Sequence, residues 1–509
     1  MATITTAADQ QPNPSASSRR PWILFDAGAY IGDCPNGTTA EHFTSNNKSI
    51  KVSIWPDDPP APSRLFVHFP DLGPNLLLED ARIVSSADRF LLLRVRISCP
   101  TIRSREMGDY FIYRAERPSL RLLPKPRPFH DDEVGLLPRG EHFTIAVLSL
   151  DMHGFDLHLF KSESWAWTTF SKVPIVTPQR AFPIEIPRKA FRLNEHITTT
   201  VITLGGEGGT MGWVDLWRGI LFCDVLSSSP TLRGVPLPLP RSLVNHGKGI
   251  EGCPKPYRGI AVVQGCLRMV EMEVQFDGPP MLDPETGHIN FRIRDWELST
   301  YTNRKISGAW EDWQLDCTAK ASHIDIDEGM QWQLLQSGLL NVKQEGRGRK
   351  LENLHTCQPV LSLDNNGVVY LLTKVKFMQS RAWVLAVDIK GKRIQSLAEF
   401  STDRNLVLSH EYCPSSISSY INARATPVKI MTSPIGIVEF IITILMEALY
   451  DVINVSNCWL LSLKRMLIDL LWPSWVCAIS LDAASGGSLG CLMSQLQQAD
   501  DGSQVQHKD

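Results

Sequence analysis

The sequence is short of one-sided charge, of cysteine and of long uninterrupted apolar runs. Over 509 residues, 51 Lys and Arg stand against 54 Asp and Glu, a formal net charge of −3. That balance argues against a dedicated nucleic-acid binder, which carries a basic field. Glycine and proline, 34 of each, are too few for a collagenous or low-complexity chain. The 11 cysteines are odd in number and scattered, as at Cys34, Cys99, Cys223, Cys253, Cys266 and Cys317. No secretory apolar region precedes them, so they read as reduced thiols of an intracellular protein, cytoplasmic or nuclear. The sequons at Asn36, Asn47 and Asn454 are then chance matches. What remains is ordinary globular usage, 43% hydrophobic and 21% charged, which excludes wholesale disorder. Residues 1–20 lack a basic amphipathic pattern and read as a disordered leader rather than a transit peptide.

From Pro21 to about Phe400 the signal is short strands. Examples are Trp22–Phe25, Lys51–Trp55, Leu65–Phe69, Phe90–Ile97, Phe143–Val147, Ile197–Leu204, Leu267–Val274 and Gly367–Val375. Strict alternation over Val270–Val274 is the period of a half-buried strand. Turn formers such as Pro59-Pro60, Gly205-Gly206 and Asp364–Gly367 separate the runs. No long amphipathic helix is predicted here.

Four segments share one grammar: an apolar or aromatic strand, a polar turn and a returning strand. They are Asp109–Tyr113 returning through Pro118–Leu122, and Leu157–Phe160 returning through Trp165–Trp167. The others are Gly219–Asp224 returning through Pro230–Arg233, and Trp383–Asp388 returning through Lys392–Ile394. The first two begin roughly 48 residues apart, near a propeller-blade period. Each matches one hairpin of a four-stranded blade, and radial closure protects most strand edges. The fold class expected is all-β, a propeller-like array of short antiparallel strands, with a series of two-sheet sandwiches as the competitor.

The segment Gly212-Trp213-Val214-Asp215-Leu216-Trp217-Arg218-Gly219-Ile220-Leu221-Phe222-Cys223-Asp224-Val225-Leu226, followed by Val235-Pro236-Leu237-Pro238, resembles the central signature of a plant family expanded in grasses, the domain of unknown function 1618 family. Pro59–Leu65, Asp109–Ala115, Ser119–Pro124 and Phe291–Trp296 fit the same style, so the resemblance covers about residues 20–422. It implies a propeller-like interaction domain and brings no catalytic residues with it.

After Asn422 the chain departs from that pattern. Ser433-Pro434 is a helix start, and Ile435–Tyr450 carries its polar residues on one line, Glu439, Thr443 and Glu447. A second apolar run, Trp459–Leu471, stops before Pro473. A helix over Ile435–Tyr450 reaches about 24 Å, short of the roughly 30 Å hydrocarbon core. Lys464, Arg465 and Asp469 burden the second run. The reading is an apolar helical hairpin appendage over 423–480 and a flexible tail over 481–509. A membrane segment through 435–471 is the lesser alternative.

Several motifs invite chemistry and lack its context. Gly486-Gly487-Ser488-Leu489-Gly490 spells a nucleophile elbow, yet too little chain follows to supply the acid and histidine partners. Gly247-Lys248-Gly249-Ile250-Glu251-Gly252 spells a dinucleotide fingerprint, but Pro254 and Pro256 block the helix that mechanism requires. Gly205–Gly209 lacks the Lys-Ser/Thr of a phosphate loop. His355, Cys357, His410 and Cys413 could supply zinc ligands but do not have zinc-finger spacing. His323, Asp325 and Asp327 would share a strand face and read as solvated polar positions. The pairs Trp165/Trp167, Trp213/Trp217 and Trp310/Trp313 suit packing between blades better than a ligand groove. The basic stretch Lys343–Lys350 reads as a solvated loop.

No catalytic, cofactor-binding or metal-binding residue is therefore assigned, and no cofactor is expected. The expected function is non-catalytic protein interaction through the loops at one end of the propeller, without nucleic acid. The alternative is an enzyme whose acid/base or metal site is assembled from separate loops of the same scaffold.

Overall fold

The strand Phe90–Ser98 shows how this sequence builds its fold. Leu91, Leu93 and Val95 point to one face, while Phe90 and Leu92 point to the other. Each face enters a different buried cluster, so a nearly continuous apolar run is needed where a half-solvated strand would alternate.

In a computed structural model the described residues are 21–421 apart from 72–76, 99–107, 125–129, 152, 177–195, 242–251, 283–286, 288, 307–311, 342–349, 365–366, 378, 380 and 402–410. Their strands form six four-stranded sheets. Five sheets follow chain order and constitute blades 1 to 5, with inner strands Leu77–Ala87, Val134–Arg139, Thr200–Gly205, Arg258–Val263 and His355–Leu361. Blade 4 carries an inserted hairpin that pairs Met281–Leu282 with Ile289–Asn290. The closing blade joins the two ends of the described chain. Its inner strand, Tyr412–Ser415, pairs antiparallel with Ile23–Asp26. Asp26 and Ser63 then link that strand to Arg64–His68, Ser49–Trp55 and Ala40–Phe43. The six inner strands contact one another in a closed ring. This is the propeller expected from the repeat, and the sandwich competitor falls away.

The four repeats are the third-to-outer-strand hairpins of blades 1, 2, 3 and 5. Five hydrophobic clusters fill the spaces between blades, including one shared by blades 1 and 2, one by 2 and 3, and one by 3 and 4. Fully burying such side chains contributes about 1.5–3 kcal/mol each.

Tryptophan indoles add directed links across the gaps. Trp213 of blade 3 donates to the Glu133 carbonyl before blade 2, 2.8 Å, and Trp313 of blade 4 donates to the Pro236 carbonyl of blade 3, 2.8 Å. Trp167 of blade 2 reaches the Pro124 carbonyl after blade 1, and Trp296 of blade 4 reaches Leu351 before blade 5. An indole combines a large apolar body with one N–H that needs a partner when buried. The expected appendage over 423–480 and the tail over 481–509 lie outside the described residues.

Candidate functional site: the mouth of the central channel

The ring encloses a channel of about 580 Å³ lined by all six inner strands. Its mouth lies where those strands begin, because the connection between blades delivers each chain to the axis there. Asp131, Asp132 and Glu133 form a single turn before Val134 of blade 2. Lys255 precedes blade 4, and Glu411 immediately precedes the closing strand. Arg82 comes from the inner strand of blade 1, and Arg94 from the strand beside it.

These side chains form one alternating network. Lys255 Nζ donates to Asp132 at 2.7 Å and to Glu411 at 2.6 Å. Arg82 donates to the other Glu411 oxygen, and its Nε stands 3.8 Å from Asp131. Arg94 lies 2.7 Å from Asp131, which also accepts from the Tyr110 hydroxyl at 3.2 Å. Burial alone would raise the Glu411 pKa, but Lys255 and Arg82 more than offset it and hold the carboxyl below its ordinary value. Burial likewise opposes charge on Lys255, whereas Glu411 and Asp132 raise its pKa. Glu133 differs. Burial raises its pKa, and the His130 N–H only partly counters this.

Beside the mouth, the strands Cys266–Phe276 and Ile293–Asn303 run past the start of their inner strand, where Arg258 pairs with Glu271. They carry the inserted hairpin upward, leaving Phe276, Met281 and Leu282 exposed at 48%, 47% and 68%. Phe276 packs on Phe291, which meets Phe377 of blade 5 at 5.1 Å.

The motifs singled out in the sequence fall elsewhere. Gly205–Gly209 is the turn between the first two strands of blade 3, with Gly205, Gly206 and Gly209 at positive φ. Of the fingerprint only Gly252 is described; its carbonyl accepts from the Trp217 indole, and the chain continues into the strand Arg258–Val263 rather than a helix. His355 and Cys357 lie on the inner strand of blade 5 and Cys413 on the closing strand, while His410 lies outside the described residues. Burial pushes the Cys357 and Cys413 thiols up to about 12. Among the described residues no group of three or more His, Cys, Asp and Glu is arranged to hold a metal ion.

His323, Asp325 and Asp327 do not share a strand. His323 ends a short turn, Asp325 makes a lone bridge to Arg393, and Asp327 caps the helix Glu328–Gln336 by accepting the Met330 N–H at 2.7 Å. The Asp-Glu pair is a helix start, a signal the strand reading passed over. Trp165 and Trp167 both pack on Phe160, and Arg121 stacks 3.6 Å from the Trp165 ring. Of Lys343–Lys350 only Lys350 is described, and it is exposed. Ser488 and the apolar runs over 435–471 lie outside the described residues; among those described, no helix is long and apolar enough to cross a membrane.

A family model described as protein of unknown function, DUF1618, matches residues 213–370. The match runs from the second strand of blade 3 to the second strand of blade 5. No curated protein matches at a comparable standard. Among solved structures, a candidate 6-phosphogluconolactonase from Bacteroides fragilis is similar at 10% identity and TM-score 0.29, over 79% of this chain and 99% of that one. Fructan 1-exohydrolase IIa from Cichorium intybus is similar at 10% identity and TM-score 0.26, over 65% and 59%. A levansucrase mutant of B. subtilis is similar at 7% identity and TM-score 0.25, over 66% and 89%. At these scores the fold assignment rests on the strand order itself.

Proposed function

We propose that this protein is a non-catalytic protein-interaction module that engages its partners through the mouth end of the propeller. The observation that carries the reading is the mouth end of blade 4, where Phe276 ends its strand and Met281 and Leu282 of the inserted hairpin stand exposed. Exposed apolar side chains grouped on a projecting element fit recognition of a protein surface. The channel carboxylates support the same reading. Asp131, Asp132 and Glu411 are each engaged by Arg82, Arg94 or Lys255, which suits a fixed scaffold better than proton transfer. A reducing compartment, cytoplasmic or nuclear, fits the described cysteines, all of which are free thiols. The test is affinity capture from the tissue that makes the protein, using the full chain and a Met281→Asp/Leu282→Asp variant. Partners recovered with the wild type should fall at least tenfold with the variant. Equal recovery would refute the assignment of this face.

A second reading, catalysis by groups from separate loops, draws on Glu133 alone. Burial raises its carboxyl in a turn that also carries Asp131 and Asp132, and carboxyls set apart by environment are a pattern seen in acid/base pairs. That reading requires turnover whose high-pH limb moves in Glu133→Gln.

A further inference from the structure

At the end of the ring opposite the mouth, blades 4 and 5 leave a small pocket of about 80 Å³ between them. Strand register explains its lining. In blade 4, Arg268 pairs with Thr302, and two-residue periodicity sets Thr300, Thr302 and Arg304 on the side that Arg268 occupies. The pairing with the outer strand slips after Thr300, which leaves Asp316 outside the ladder, where it accepts from the Thr302 hydroxyl. Blade 5 supplies Leu361, the turn at Gly367, and Lys390. Gly367 has φ +73°, a conformation that favours glycine, and it lies beside the Lys390 stem.

Three cations thus share this pocket with one carboxylate. Arg268, Arg304 and Lys390 make no side-chain hydrogen bond, ion pair or ring contact among the described residues. The mouth is the opposite case, since Arg82, Arg94 and Lys255 there are all paired. The chain as a whole is slightly acidic, so the excess is local and not part of a basic field. Uncompensated like charges in a partly enclosed space repel, and an anion between them removes the repulsion. Guanidinium forks match the oxygens of a phosphoryl group, and an ammonium adds a point charge. The space suits one tetrahedral group; whole small-molecule sites run to roughly 300–1,000 Å³.

We propose that the gap between blades 4 and 5 is an anion site that takes a single phosphoryl group, held by Arg268, Arg304 and Lys390. The group could come from a phosphorylated side chain or from a free phosphate, and the experiment separates the two. The site does not depend on the mouth-end reading.

The test is a thermal melt of the full chain against inorganic phosphate, with sodium chloride matched for ionic strength. Phosphate should raise the melting temperature saturably beyond the chloride control. Affinity should fall at least tenfold in Arg304→Gln and in Lys390→Gln, both at exposed positions where folding is not at stake. Asp316→Asn, which keeps an acceptor for Thr302, should tighten binding several-fold. A phosphoserine peptide that binds tenfold tighter than phosphate, with its unphosphorylated form inert, identifies a modified chain as the source; equal affinity identifies free phosphate. A phosphate shift no larger than that of chloride, or one unchanged in Arg304→Gln, overturns the proposal.

Discussion

Replacing Glu411 by glutamine separates the two jobs this side chain performs. Its backbone carbonyl accepts from the Ala27 N–H at 2.8 Å and is untouched by the substitution, whereas its carboxylate accepts from Lys255 and Arg82. Glutamine keeps the size and one acceptor but removes the charge between two cations. Removing one partner of a fully buried ion pair costs about 3–5 kcal/mol, and an exposed pair is worth about 0.2–1. The three side chains are 19–30% exposed, between those limits and nearer the buried one. A loss of about 2 kcal/mol in denaturant stability at neutral pH is expected. The loss should be smaller in a Lys255→Met background, because the cation that Glu411 neutralises is then absent.

The pH dependence fixes the sign independently. The folded pKa of Glu411 lies below its unfolded value, so its contribution is fully present above about pH 4.3 and disappears as the pH falls through the folded value. Wild type and Glu411→Gln should therefore converge in acid and diverge above that pH. Urea denaturation of both forms between pH 3 and 8, monitored by tryptophan fluorescence, measures this. Identical midpoints throughout, or a difference that grows in acid, would refute the electrostatic account of the mouth.

The packing between blades sets further outcomes. A Cβ at Gly259 would stand 2.2 Å from the Pro359 carbonyl oxygen of the next blade, so Gly259→Ala should cost at least about 2 kcal/mol, read as a lowered urea midpoint. Trp213→Phe leaves the Glu133 carbonyl without its donor and opens space in the core between blades 2 and 3. It should cost about 2–4 kcal/mol by the same assay. In native protein, brief alkylation and then peptide mapping should show exposed Cys253 modified well before Cys357 and Cys413, whose burial suppresses the thiolate.

The hairpins were legible because each is local: Gly219–Asp224 and Leu232–Pro236 announce themselves by apolar runs around a polar turn. Blade 4 broke the repeat because its inserted hairpin separates strands that pair in space. The closing strand was hidden for the opposite reason. Tyr412–Ser415 is short, contains Pro414 and resembles a turn; only its distant partner Ile23–Asp26 makes it a strand. The mouth was illegible as a site because its charged residues come from strands of one blade and from the connections that lead into others. The acidic run Asp131–Glu133 and the Glu411 beside a supposed zinc pair carried the available signal, but nothing local says that they converge. The phosphoryl pocket is hidden in the same way, since Arg268 and Lys390 meet only across a blade boundary.

The closing blade also sets a timetable for synthesis. Ile23 must find Ser415, about 390 residues later in the chain. At roughly 5–20 residues per second, the ribosome holds the first strand without its inner neighbour for about 20–80 s. Ile23 and Phe25 pack with side chains of the first 120 residues, so what waits through that interval is the backbone edge that Tyr412–Ser415 will cover. A ring closed by strands so far apart in sequence therefore cannot complete its inner circle until Tyr412–Ser415 has been synthesised.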